Sequence, residues 1–593
     1  PAPTPAVRTE YAPTDGLPGD VAVSFALRAR AGEPQPGGFY GAPWPSELWR
    51  LPDGSLDFRG FPGEDSILLA DTVSEAARET EAFSVSPVVY FHFTGPIDPL
   101  RLPAPAATRQ ASSSVLLVDV DPNSPEQGAR IPVEHRYYTD DLRFIPERTL
   151  AIKPLLGFVL RPGTLYAAVL RRSLTEPPLG TKRDFELTKS TKSHADPVME
   201  VARRLHAPAI GVLERSGIVR EDVAALAVFR TQQPYAAFRS MFDVAVAPGS
   251  HAPRVVSAEW VDDEESVMPY RVVRGYYCTP NFQRDIDEAP FLDTGGTITR
   301  DAAGRVLIQP IPEGSAFRTA ECGPLIRARF VLTVPRGDMP PTGWPLLVVS
   351  HGTTGDAFSF VGADSFAGWA ASQGIAAVST DQPLHGGRDQ MGARPGSRKP
   401  FIYKIGGIPI RLPAEGHGAE LAFYHPMRPP VMRGNLRQAA IDSVMLSRLI
   451  LGTDFARVRG VDGGLALAAR TGVVSPRFDA DRLLAAGHSQ GSQPAAVVGV
   501  VDPRVRGVVL SGCGGDIRVA FARRQDTNAR DVVQLLLRLA DGEIDEFHPL
   551  LALVQTILDP VDPQSWARLY HEPLPGRRPA SVLHFEGLGD TMT

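Results

Sequence analysis

Cysteine is scarce in this sequence: Cys278, Cys322 and Cys513 are the only three among 593 residues. So few cannot build a disulfide scaffold, and the fold must rest on hydrophobic cores. Cys278 and Cys322 flank one loop and can pair if the protein is exported, leaving Cys513 as a free, inert thiol; in a reducing compartment all three stay reduced. Long apolar runs are missing too, since none approaches the roughly 20 residues of a membrane span. Positive charge is not in excess: the formal net charge is −6, and without a basic face nucleic acid is not an expected partner. An export signal is not visible, but Pro1 is not a natural start, so a removed signal is compatible with the sequence. The opening Pro1-Ala2-Pro3-Thr4-Pro5 reads as an extended tether, of the kind that follows a signal or a lipid-modified cysteine. A single core does not serve 593 residues, so two or more domains are expected.

What is present begins at Gly487-His488-Ser489-Gln490-Gly491, between the apolar run Leu483–Ala486 and the small-residue run Ser492–Val500. Gly-x-Ser-x-Gly between a strand and a helix is a nucleophile elbow: the turn strains the serine backbone, and its neighbours two positions away must lack bulk. Upstream, Leu346–Ser350 reads as a buried strand ending at His351-Gly352-Thr353-Thr354-Gly355. A helix over Phe366–Gln373, closed by Gly374, leads to a second buried strand, Ile375–Ser379, and to Asp381-Gln382-Pro383-Leu384-His385-Gly386. Short apolar runs separated by helices imply a parallel sheet covered on both faces. Asn435–Ile450 is helical by its i, i+4 apolar spacing, and Arg506–Ser511 and Ser581–Phe585 are further strands.

Asp590 follows the last strand, and the chain order serine then acid makes it the expected triad acid; Asp516, after the preceding strand, is the alternative. None of the 13 histidines lies downstream of Asp590. The histidine base is therefore expected beyond Thr593, in a piece missing from an incomplete or processed polypeptide. An upstream histidine is the alternative, with His351 and His385 on the pocket rim as candidates for it or for bracing the loops. His488 points away from its neighbour Ser489, and His584 lies within a strand as an expected core residue. A serine hydroxyl needs such a base to take its proton and return it to the leaving group, with the acid orienting the imidazole. Backbone N–H groups must also stabilise the oxyanion, and these are assigned to Gln490 and Thr353.

These motifs, with Asn435-Leu436-Arg437-Gln438 and Gly589-Asp590, resemble the large bacterial extracellular lipases and surface-exposed lysophospholipases. Pro45-Ser46-Glu47-Leu48-Trp49-Arg50 is similar to the Pro-x-Asp-Leu opening of that family, with Glu47 in place of the usual acid. The resemblance implies an N-terminal immunoglobulin-like region and a C-terminal α/β-hydrolase domain, with the family's serine and acid falling on Ser489 and Asp590.

The fold class is accordingly α/β, with a β-rich domain over residues 1–240 and an α/β-hydrolase domain over 241–593. Strands are expected at 87–93, 115–120, 131–138, 149–152, 165–170 and 224–232, the spacing of an antiparallel sandwich. One helix interrupts them, capped by Asp196 with Pro197 at its first position and burying Val198, Val201, Ala202 and Leu205. Asp119, Asp121 and Asn123 imitate a calcium loop, but Ser124 stands where glycine is required, so a solvated turn is expected. Insertions at 388–433 and 516–578 are either lids over an apolar pocket or structural decoration.

The reading that results is a secreted or bacterial surface hydrolase of carboxylic esters, of lipase, esterase or lysophospholipase type, acting through an acyl-enzyme on an ester or lipid-like substrate at or near a membrane surface. It needs neither metal nor cofactor and leaves the oligomeric state open. The same residues serve a peptidase, amidase or polyester depolymerase, and an inactive surface binding protein is the third reading.

Overall fold

The computed structural model describes residues 10–30, 32–66, 69–249, 251–261, 267–287, 295–315, 317–388, 401–405, 408–412, 423–425, 428–460, 475–523, 534, 537–540 and 542–587. The chain divides into two compact units: Pro1–Gln233 with Asp516–Asp559, and Pro234–Gly515 with Pro560–Thr593. The division differs from the boundary expected at residue 240, which falls inside the helix Pro234–Val246. It also splits the expected 516–578 insertion, giving most of it to the first unit.

The first unit pairs its strands antiparallel throughout. β1 (Val89–His92), β2 (Val115–Asp119), β3 (Arg130–Ile131), β4 (Val133–Tyr138), β5 (Thr149–Pro154), β6 (Leu165–Arg171) and β7 (Val223–Arg230) form two sheets, β1-β5-β4 and β3-β2-β6-β7. The helix Pro197–Arg215 starts as its sequence demands, with Asp196 accepting hydrogen bonds from the N–H groups of Val198 (2.8 Å) and Met199 (3.1 Å). Its buried stripe is Met199, Ala202, His206, Ala209, Ile210 and Leu213, however, and Val201 is exposed. Ala202 is buried as expected, and the rest of the stripe turns toward His206, an interior imidazole that gives no apolar signal in sequence. The calcium-like loop is a turn, but not the solvated one expected, because its carboxylates are buried: Asp119 accepts from Asp121 N–H (3.0 Å) and the Ser124 hydroxyl, and Asp121 accepts from Asn123 N–H (2.9 Å) and pairs with Arg230 (2.6 Å). Glu47 of the opening motif is likewise used up locally, by Arg50 (2.6 Å) and the N–H of Arg230 (3.0 Å).

The returning segment joins this unit through buried charge. Asp516 pairs with Arg518 (2.6 Å), whose guanidinium also donates to the Ser86 hydroxyl (2.7 Å), while Asp559 accepts from Val85 N–H and from the Gln232 amide, both at 2.8 Å. Asp516, the alternative triad acid, is thereby consumed as an ion-pair partner.

The second unit is built on one eight-stranded sheet. Its strands are β8 (Arg254–Trp260), β9 (Tyr270–Thr279), β10 (Ile326–Pro335), β11 (Trp344–Ser350), β12 (Ala376–Thr380), β15 (Phe478–His488), β16 (Val505–Ser511) and β17 (Ser581–Phe585), in the order β17-β16-β15-β11-β12-β10-β9-β8; β13 (Phe401–Ile405) and β14 (Ile408–Leu412) make a separate hairpin in the 388–433 insertion. From β12 to β17 all neighbours run parallel, and β10 is antiparallel to both β12 and β9. The continuous apolar runs follow from burial on both faces. Leu346, Val348, Val378 and Ala485 pack with residues of the helices Pro429–Gly452 and Ser492–Val501, whereas Leu347, Val349, Ala377 and Ala486 face Phe360, Ala367 and Ala370. His584, expected in the core, instead lies on β17 at the sheet edge, where every residue is exposed.

Cys278 at the end of β9 and Cys322 before β10 are joined as a disulfide, with Cα atoms 5.3 Å apart. Cys513 is a buried free thiol, and burial pushes its pKa up to about 12, which keeps it protonated and unreactive.

Candidate active site

Strand order fixes where a site can form. The chain lays β12 on one side of β11 and then β15 on the other, so the connections leave these strands in opposite directions and open a crevice at their carboxyl ends. The loops at that crevice are Ser350–Gly355 and His488–Gly491. Ser489 sits there with φ +51°, a left-handed backbone that side chains rarely adopt. A Cβ added to Gly487 would lie 2.2 Å from the Gly491 carbonyl, and one on Gly491 would lie 2.2 Å from the Ser350 carbonyl and 2.4 Å from that of His351. The two glycines are thus required by contact, and the elbow presses directly on the neighbouring loop. The helix Ser492–Val501 follows at once.

Strained residues recur at the same end of the sheet. Thr354 after β11 has φ +66° and Leu384 after β12 has φ +62°. A β-branched threonine in this conformation is costly and persists only where surrounding bonds hold it. Those bonds are present. Asp381 accepts from Ala357 N–H (2.8 Å) and Gly387 N–H (3.0 Å) and is paired with Arg329 (2.7 Å), which also holds Asp356 (3.0 Å). The loop after β11 is thereby tied to the loop after β12 through a cation on β10.

Thr353 lies in the β11 loop beside the elbow, its hydroxyl donating to the Gln490 side-chain oxygen (3.1 Å). A Cβ on the adjacent Gly352 would lie 3.4 Å from the Ser489 Cβ. His351 is buried with both ring nitrogens committed: Nδ1–H donates to the Gly352 carbonyl (2.9 Å), and Nε2 accepts from Gln382 N–H (3.0 Å). Burial lowers its pKa, so it is a neutral loop brace rather than a free base. His385 is buried as well, with Nδ1 bonded to the Pro383 carbonyl (2.9 Å) and its ring 5.2 Å from that of His351; burial first, and His351 second, lower its pKa to about 4. His488 is exposed and its Nδ1 meets the Ser511 hydroxyl (3.1 Å). Asp590 lies outside the described residues.

Gln382, Tyr424, Asp381 and Arg329 received no role from the sequence, although Asp381-Gln382 stood at a strand end and could have been suspected there. Glu586 was also missed: after β17, its carboxylate accepts from Cys513 N–H (2.9 Å) and bonds His584. Among the described residues no cluster of ligating side chains fits a metal.

The crossover order of β12, β11 and β15, the antiparallel β10 beside them and the elbow after β15 coincide. The second unit has the α/β-hydrolase fold. No protein-family model and no curated protein matches the sequence. Among solved structures, acetyl xylan esterase 1 from Thermoanaerobacterium sp. is 15% identical, over 60% of this chain and 90% of that one, with a TM-score of 0.29. A glucuronoyl esterase from Teredinibacter turnerae is 15% identical over 57% and 62%, with a TM-score of 0.25. Candida antarctica lipase A in its closed state is 10% identical over 50% of each chain, with a TM-score of 0.21. At such TM-scores the fold rests on strand order and elbow, and the substrates those proteins are named for remain theirs.

Proposed function

We propose that the chain is a serine hydrolase of carboxylic esters, with Ser489 as its nucleophile. The observation that carries this reading is the left-handed Ser489 backbone between two glycines that neighbouring carbonyls forbid to grow. Such a turn stores strain for the sake of presenting one hydroxyl, and strain of that kind is maintained where a function uses it.

In the proposed reaction Ser489 Oγ attacks the ester carbonyl while a neutral imidazole takes its proton. The tetrahedral oxyanion is met by the backbone N–H groups of Gln490 and Thr353, collapse expels the alcohol with the proton returned, and water repeats the sequence to free the acid. Asp590 orients the imidazole. The base is a histidine other than the rim residues His351 and His385, which are low-pKa, buried groups holding loop carbonyls. A lipid-like ester is the proposed substrate, cleaved outside the cell or at its surface, and the β-rich first unit is read as an immunoglobulin-like accessory domain.

The test is hydrolysis of p-nitrophenyl esters of graded chain length by the full-length protein. Activity that disappears with Ser489→Ala supports the reading, and activity that survives the substitution contradicts it. A preference for long acyl chains separates a lipase from an esterase.

A further inference from the structure

One-way hydrogen bonding links the elbow to both neighbouring loops. The Thr353 hydroxyl has a single proton and gives it to Gln490 Oε1 (3.1 Å), so the Tyr424 hydroxyl, 2.6 Å away, must donate to Thr353. The Gln490 amide then donates to Gln382 Oε1 (3.1 Å), and the Gln382 amide donates to the His351 carbonyl. The Gln382 backbone N–H donates to His351 Nε2 (3.0 Å), and His351 Nδ1–H closes on the Gly352 carbonyl (2.9 Å). Every amide orientation and the histidine tautomer are fixed by this chain, because reversing any member would set two donors or two acceptors face to face. Gln382, Gln490 and His351 are each no more than 3% exposed, so water does not replace a broken link, and bonds in a buried series polarise one another.

The chain takes in Tyr424, in the 388–433 insertion, and ends on the peptide of Gly352, one residue before the proposed oxyanion donor. We infer that the side chains of Gln382, Gln490 and Tyr424 are positioning residues that aim the Thr353 N–H at the oxyanion, an inference that rests on the serine-hydrolase reading above. They fix a loop that strain at Thr354 would otherwise let relax. The insertion therefore has a line of contact to the oxyanion hole through one phenol, separate from any covering of the pocket.

The experiment compares Gln382→Met and Tyr424→Phe with wild type in the full-length chain, counting competent sites by fluorophosphonate titration and measuring kcat and KM on a p-nitrophenyl ester. Gln382→Met is expected to lower kcat per titrated site by about 10- to 100-fold with KM changed by less than about twofold, the mark of an interaction used in the transition state. Tyr424→Phe, which keeps the ring and removes only the first donor, is expected to lower kcat by about threefold. Adding Thr353→Val to Gln382→Met is expected to cost little more than Gln382→Met alone, because members of one network are not additive. Unchanged kcat per titrated site, or fully additive losses, overturns the inference while leaving Ser489 as the nucleophile. A wild-type chain that neither labels at Ser489 nor hydrolyses esters overturns both.

Discussion

At the scale of single residues, the site is held by steric necessity. Gly491→Ala would place a methyl group 2.2 Å from the Ser350 carbonyl. It is expected to cost about 1–3 kcal/mol by overpacking, read in urea unfolding, and to reduce ester hydrolysis more than stability alone explains. Buried titratable groups set the acid response. His206 and His548 in the first unit are held by burial at a pKa of about 3, and His385 in the second at about 4. Each binds a proton in the unfolded chain below about pH 6.5 but not in the folded one, so its contribution is present above that pH and is lost as pH falls toward 4. Asp559 opposes this, because burial raises its pKa to about 6 and the folded form takes up the proton first. Burial lowers the pKa of His92 and His351 too and raises those of Asp119 and Asp442, so five histidines stand against three carboxyls; urea midpoints are expected to fall between pH 6.5 and 4, and a flat or rising profile contradicts these assignments.

Elements show why parts of the chain were legible in sequence and others were not. β11, β12 and β15 announce themselves as apolar runs because helices cover both faces of the sheet, and the glycine-flanked serine marks the turn that follows. β9 and β10 carry Arg271, Arg274, Arg327 and Arg329 among their apolar residues, and this mixture hid strands that complete the sheet. The arginine that hid β10 best, Arg329, is the one that clamps Asp356 and Asp381 at the site. The polar chain through Gln382 and Gln490 was invisible because a glutamine side chain gives no periodic signal, and its role exists only once two loops meet. The Cys278–Cys322 link spans a separation of 44 residues, and on the chain-entropy view its loss costs about 3–4 kcal/mol. Replacing both cysteines by serine is expected to lower the urea midpoint by a matching amount without changing ester hydrolysis per labelled site.

For the whole molecule, the segment Asp516–Asp559 changes what an insertion means. By sequence the 516–578 insertion between the last strands of the sheet is either a lid or structural decoration; in the structure its first part completes the other unit, with Asp516, Arg518 and Asp559 buried there. Composition could not reveal this, since a buried ion pair and an exposed one are spelled alike. Arg518→Met strands a buried carboxylate and is expected to destabilise the first unit by about 3–5 kcal/mol, visible as earlier proteolysis within residues 10–233. If the segment were a lid, that substitution would alter KM and leave the first unit intact. The central claim, that Ser489 is an activated nucleophile, is tested most directly by treating the full-length protein with a fluorophosphonate and mapping the adduct by peptide mass spectrometry. One stoichiometric adduct on Ser489, lost in Ser489→Ala together with ester hydrolysis, is the expected result; ester hydrolysis without an adduct at Ser489 contradicts the claim.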